Sequence, residues 1–184
     1  MANKVEFGIS NLHVGTYTVD DQGNVTLGTP YHQKGAVSFS PEESQDQNTF
    51  YADNIAYWSG YSGGNIEGDI EVAMFDDEFK TQFLGYRTLT NGALANVKNA
   101  VKPNVYIAFQ VEGDAESRRV ILYNCTLGAI TREYNTIEDT KEPATETLAI
   151  TCTGDNATGV TVATLKPADT GYSTLFTTPT APAF

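Results

Sequence analysis

A chain of 184 residues with a formal net charge of −12 and a sequence pI of about 4.4 carries the wrong sign for gripping nucleic acid or anionic lipid through phosphates. The length suits one domain with a real core and leaves little room for two. Hydrophobic residues at 40% against charged residues at 18%, with Thr, Asn, Gly and Tyr plentiful, favour strands and turns, so the fold class is mainly β.

Residues 5–19 carry Val5, Phe7, Ile9, Leu12, Val14, Tyr17 and Val19, and the polar run Asp20-Asp21-Gln22-Gly23-Asn24 leads to Val25, Leu27 and Tyr31. The pattern predicts strand, tight turn, strand, with the first residues free to act as an arm. Asp20–Asn24 has some look of a calcium turn but lacks a distal bidentate Glu, so a plain turn is the better reading. A further strand fits residues 35–40, with Pro41 ending it. From Pro41 to Gly64 no period is visible, and the stretch reads as a long loop of functional type. Phe50, Tyr51, Tyr57, Trp58 and Tyr61 lie in it among Gly, Ser and Asn, a surface suited to being covered by another chain. The alternative is that two or three of these rings fold back onto the body.

Around this point the chain passes from strand into its one predicted helix. Ile66, Ile70, Val72 and Met74 fall on even positions and Glu67, Asp69 and Glu71 on odd ones, which predicts a strand with one buried face and one wet, acidic face. Asp76-Asp77-Glu78 then place carboxylates at a helix start. Phe75, Phe79 and Phe83 recur every four residues beside Leu84, and Gly85 closes a short flanking helix over about residues 76–85. An Asn91-Gly92 turn follows. Pro103 precedes a strong hairpin: Val105, Ile107, Phe109 and Val111 alternate with Tyr106, Ala108 and Gln110, residues 112–116 turn, and 118–127 return. Residues 128–135 continue or begin a strand, 136–143 read as a charged loop, and 145–153 and 160–165 as further strands. Residues 1–165 thus form one β domain and 166–184, with three prolines, an extended C-terminal arm.

Charge is lopsided. Residues 1–80 hold 13 acidic and 3 basic side chains, whereas 81–184 hold 10 and 8. Solubility explains this blandly; a surface that must repel a polyanion is the sharper reading. No basic-apolar-small start marks a signal peptide and no apolar run is long enough to span a membrane, so the expectation is a protein kept inside the cell. Cys125 and Cys152 are then expected to be reduced and buried on neighbouring strands, with a disulfide as the other reading. His13 and His32 have no ligand-spaced neighbours, so no metal is expected. Phosphate-loop and nucleophile-elbow motifs are missing, and Asp76-Asp77-Glu78 are explained by the helix start, so neither cofactor nor catalysis is expected.

The succession Gly35-Ala36-Val37-Ser38-Phe39-Ser40-Pro41, then Tyr51-Ala52-Asp53-Asn54, then Gly64 through Phe83-Leu84-Gly85, then the hairpin after Pro103, resembles the major tail (tail tube) proteins of long, non-contractile-tailed bacteriophages, in particular the phi13-type family. The resemblance covers nearly the whole chain. It implies a β-sandwich or half-barrel with one flanking helix, assembled as homohexameric rings that stack into a tube. It also implies double-stranded DNA passing through without specific binding, and tape-measure, tail-terminator and distal-tail proteins as partners, with no membrane. In that scheme Pro41–Gly64 becomes the ring-stacking loop, with Phe50, Tyr51, Tyr57, Trp58 and Tyr61 as contacts, and Met1–Phe7 and Lys166–Phe184 become arms. An acidic bore would avoid holding DNA by its phosphates; Glu67, Asp69 and Glu71, and Glu112, Asp114 and Glu116 at the hairpin turn, are the candidates to line it. Rival readings are a tube protein of a contractile tail or secretion apparatus, and a carbohydrate-binding or adhesin β-sandwich with Tyr57, Trp58 and Tyr61 as sugar-stacking platforms.

Overall fold

The structure, a computed structural model, describes residues 8–134, 136 and 143–184. The segment Met1–Phe7 and residues 137–142 of the charged loop lie outside the described residues. In chain order the elements are β1 (Gly8–Val19), β2 (Val25–Leu27), β3 (Tyr31–His32), β4 (Ala36–Ala52), β5 (Ile55–Val72), α1 (Asp77–Phe83), β6 (Arg87–Thr88), β7 (Leu94–Ala95), β8 (Val105–Glu112), β9 (Arg119–Arg132), β10 (Glu146–Cys152) and β11 (Val162–Leu165). The large sheet is antiparallel throughout, in the order β2-β1-β8-β9-β10-β5-β4, with β3 added to β1 and β11 to β9; β6 and β7 pair separately. The fold is the mainly-β half-barrel with one short flanking helix that the sequence implied, and it does not close.

Strand β9 makes the curl. Its first half pairs with β8 and β11, and its second half, from Cys125 to Arg132, with β10. Between them Asn124 takes φ 53°, an αL conformation that Asn tolerates better than most residues, and the ladder shifts register nearby. Bent there, the sheet brings Leu12, Val14, Val105, Ile107 and Phe109 to face Ile66, Ile70, Val72, Leu148 and Ile150 across one core. α1 lays Phe79 and Phe83 into it, with Phe75 and Leu84 at its ends. The other face of β8 is buried too. Tyr106 and Ala108 join Tyr17, Ile121, Tyr123 and Leu175 in a second cluster, so both alternating sets of that strand are covered.

Several expectations change. The stretch Pro41–Gly64 is no loop: β4 runs through Pro41, paired with Gly68, and on to Ala52. A proline is tolerated because β4 is an edge strand with no further neighbour to demand its missing N–H. Met74 is exposed, since the strand ends at Val72 and the alternation ends with it. The helix has seven residues, and the Asp76 side chain caps nothing; it accepts a 3.1 Å hydrogen bond from the Tyr31 hydroxyl. Burial first, and that bond second, push the Tyr31 pKa up to about 12. Asp77 and Glu78 do occupy the first turn, and Gly85 follows the helix at φ 72°.

Cys125 and Cys152 are fully buried cross-strand partners, as expected, but they are joined as a disulfide rather than held as thiols. The antiparallel register sets their Cβ atoms against each other with no room between. The C-terminal segment also departs from an extended arm. Residues 167–177 are mostly turns laid on the outer face of the sheet, with Leu175 buried and Phe176 stacked on His13, which stacks in turn on His32. Arg119 lies under the Tyr172 and Phe176 rings and donates to the Tyr172 carbonyl.

Where β10 turns into β11, a polar knot stands in for apolar packing. Asp155 is buried and accepts from the Tyr17 hydroxyl at 2.9 Å, from the Thr158 hydroxyl at 2.7 Å and from the backbone N–H groups of Ala157 and Thr158. Burial alone would raise its pKa; the hydrogen bonds outweigh burial and the net direction is down. A carboxyl depressed in the folded state contributes stability that is complete above the unfolded value near 4 and fades as pH falls through the folded one. Urea melts at pH 6 and pH 3 are therefore expected to differ less for Asp155→Asn than for the wild type, and equal differences would remove Asp155 from the account.

Candidate assembly surface

The feature that no compact core explains is the β4–β5 hairpin. β10 stops pairing with β5 at Ile66, so residues 45–63 have only each other as ladder partners, from Gln45↔Gly63 to Ala52↔Ile55. At about 3.3 Å per residue this two-stranded ribbon projects roughly 25–30 Å beyond the sheet. Its tip is a two-residue turn at Asp53-Asn54, both at positive φ (52° and 63°), the geometry that matches the twist of a hairpin. An isolated two-stranded ribbon is at best marginally stable in water.

The five sequence-singled aromatics are all on this ribbon and all exposed. Phe50 and Trp58 face each other across the ladder on one side, and the Trp58 indole lies over Gly60, where any Cβ would overlap it. Tyr51 neighbours Phe50 in the strand and Tyr61 sits three residues from Trp58, so both point to the opposite side. Tyr57 occupies the register shift beside them. Aromatic rings on both faces leave no side of the ribbon that a monomer could keep dry.

Below the ribbon, the outward face of β4, β5 and β10 is acidic and small. Glu42 pairs with Glu67, Ser40 with Asp69 and Ser38 with Glu71, while Thr151, Ala149 and Thr147 continue the rows on β10. β4, β5 and β10 contain no Lys or Arg. Hydroxyls of Thr145 and Ser38, at 2.6 and 3.0 Å, hold the Glu71 pKa below the ordinary range. The second group of candidate acids is different in kind. Asp114 accepts from the Arg118 guanidinium and backbone N–H, which depresses its pKa strongly. Glu116 pairs with Lys166 at 3.0 Å, and Glu112 accepts from the Ser10 hydroxyl. Among the described residues, Glu67, Asp69 and Glu71, with the neighbouring Glu42, stand together with no ion-paired cation.

Two edges flank the opening of the half-barrel. β4 has no neighbour beyond it, and a cavity of about 530 Å³ lies between its start and that of β1, with Ile9, Val37, Phe39, Phe109, Val111 and Val120 among its walls. Asp20, the other acidic turn, folds its carboxylate onto the backbone N–H groups of Gln22 and Asn24 and the Asn24 amide, as a plain turn does. Among the described residues no group of three or more His, Cys, Asp or Glu is placed to hold a metal.

A curled sheet with an open edge and a projecting ribbon that carries exposed aromatics make up this surface. The chain belongs to the phage tail tube protein family, whose family model matches residues 2–173. Among solved structures, a chain of the anti-feeding prophage cap, described as the AFP tube terminating cap, is similar with a TM-score of 0.51 at 10% identity, over 90% of this chain and 96% of that one. A chain of the sheath-tube complex of the extracellular contractile injection system PVC in its extended state gives 0.48 at 10% identity, over 88% and 94%. At such identities the likeness concerns the fold. No curated protein sequence matches the chain.

Proposed function

We propose that the chain is the repeating subunit of a phage tail tube, of the phi13 type found in long non-contractile tails, and that it assembles into stacked six-fold rings around a channel for DNA. The observation that carries this reading is the ribbon: 25–30 Å of two-stranded sheet, by the ~3.3 Å rise per residue, with aromatics on both faces, fits a clamp between rings and has no use in a monomer. Family membership supports it. The acidic rows of Glu42, Glu67, Asp69 and Glu71 suit the bore, where carboxylates repel DNA phosphates and let the duplex slide without counterion release. Tape-measure, tail-terminator and distal-tail proteins would meet the two ends of such a tube in the virion.

The test is negative-stain electron microscopy beside size-exclusion chromatography across a concentration series. Rings or hollow filaments are the expected result. Trp58→Ala should raise the concentration needed for assembly by roughly tenfold or more, the effect of losing an anchor worth about 2 kcal/mol. Assembly unchanged in Trp58→Ala would remove the ribbon from the contact. A strict monomer that binds a glycan array through Tyr57, Trp58 and Tyr61 would replace the reading by a sugar-binding one.

A further inference from the structure

Charge along this chain is divided into blocks. Residues 35–78 hold ten carboxylates and no Lys or Arg, whereas residues 79–111 hold Lys80, Arg87, Lys98 and Lys102 and no carboxylate. The fold puts much of the first block into the ribbon and its acidic base, and much of the second into the connection from α1 to β8. Most described cations are engaged within the chain. Lys80 and Arg132 meet Glu146, Lys102 donates to the Leu127 and Gly128 carbonyls, Arg118 binds Asp114, Arg119 lies against aromatic rings, and Lys166 pairs with Glu116. Lys34, Arg87 and Lys98 are exposed and meet no carboxylate among the described residues, and of these Arg87 and Lys98 share the connection from α1 to β8.

Their surroundings are those of a contact surface. Leu89, Val97 and Val101 are exposed beside them in sequence, Val101 at 92%. The segment is shaped rather than loose: β6 and β7 pair, Leu89 and Ala93 close the turn between them, and Ala100 packs against Gly85 at the end of α1, where a Cβ would collide with it. Two exposed cations on a segment that also exposes apolar side chains are the complement of a ribbon that ends in Asp53 and carries Tyr57 and Trp58. Guanidinium and ammonium groups are attracted to the faces of Trp and Tyr as well as to carboxylates, and Trp, Tyr and Arg are the residues that dominate interfaces.

We infer that residues 86–101 of one copy are the receptor for the ribbon tip of a second copy, with Arg87 and Lys98 meeting its carboxylate and aromatic faces. The inference rests on the tube-subunit reading and names the contact that joins its copies. Donor and receptor are different patches of the same chain, so the contact is heterologous: each copy that gives its ribbon still offers its own receptor, and the association propagates into a ring or column instead of stopping at a two-fold dimer. Opposite charge on the two patches also sets direction, since ribbon against ribbon brings acid to acid.

The experiment places the photo-crosslinking residue p-benzoylphenylalanine at Tyr57 in the full chain, irradiates it, and maps crosslinked peptides by mass spectrometry. Crosslinks between copies into residues 86–101 are expected, and they should fall about tenfold or more with the charge reversal R87E/K98E, as for loss of complementary charge at a contact. Crosslinks confined to other segments, none at all, or a yield indifferent to R87E/K98E would overturn the inference. A second arm mixes R87E/K98E with the ribbon variant F50S/W58S. Each alone should stop at a single ring or smaller and form no tube, while the mixture should join the two variants in equal amounts through one ribbon–receptor layer and grow no further, because one partner keeps its ribbon and the other its receptor. Hollow tubes in R87E/K98E would sink the inference and leave the tube reading standing; absence of assembly in the wild type at every concentration would count against the tube reading, while the crosslinks would still report the contact.

Discussion

Replacing Phe79 by alanine is expected to lower the unfolding free energy by about 3–5 kcal/mol, the range for emptying a large aromatic from a core. Phe79 is 1% exposed, stacks on Phe75 at 4.9 Å, and meets Phe83 at 5.1 Å and Tyr31 at 6.1 Å between ring centroids. The cost does not end with the cavity. α1 has seven residues, too few to persist in water by propensity, so it exists because its aromatic stripe is docked. With the central ring gone the helix would loosen its hold on the core cluster that Phe79 shares with Phe75, Phe83 and Leu84. Urea unfolding should show the loss, with Glu78→Ala on the exposed face of the same helix changing stability by no more than about 0.5 kcal/mol. A Phe79→Ala penalty below about 1 kcal/mol would mean that the helix is an ornament rather than the plug of the core.

That helix was legible because its signal is local: three phenylalanines every four residues, acids before them, a glycine after. The β8–β9 hairpin was legible for the same reason, through alternation on both strands. The ribbon was misread as loop because its residues answer to no core. With both faces exposed in the monomer, nothing imposes hydrophobic alternation, and an apolar-polar period is what a strand reading looks for. A signal was present nonetheless. Asp53-Asn54 is a pair that tolerates positive φ, and it is flanked by the β-formers Thr49-Phe50-Tyr51 and Ile55 to Trp58. The aromatics themselves pointed to an uncovered surface, since five rings in so polar a stretch are more than one core readily takes, although the sequence left open that two or three fold back onto the body.

Other misses depend on distance along the chain. Cys125 and Cys152 are 27 residues apart, and only the β9–β10 register makes them neighbours. Leu175 and Phe176 read as part of a proline-rich tail; their burial depends on the outer face of β8 and β9 being apolar as well as the inner one. The two sets of candidate acids looked alike in sequence. Structure separates them through partners drawn from elsewhere: Lys166 for Glu116, Ser10 for Glu112, and, among the described residues, no cation for Glu67 or Asp69.

Glu146→Ala is expected to cost about 3 kcal/mol or more, the scale for breaking a buried ion pair by removing one partner. The carboxylate is 3% exposed and accepts from the Phe75 backbone N–H at 2.7 Å while pairing with Lys80 at 3.4 Å and Arg132 at 3.2 Å. It therefore ties the start of β10 to the end of β9 and to α1 through charge. The two cations left behind differ. Arg132, about a third exposed, can turn to water, whereas the Lys80 side chain at 13% cannot do so without leaving its place on the helix. The penalty thus comes mainly from Lys80, together with an unpaired Phe75 N–H beside the core. A double-mutant cycle separates these. Lys80→Met in the Glu146→Ala background should recover part of the loss, giving a coupling energy above about 1 kcal/mol, while Arg132→Met should recover little. Additive behaviour of Lys80 and Glu146 would show that the acid acts only as an acceptor for the backbone, in which case Glu146→Gln should be nearly as stable as the wild type.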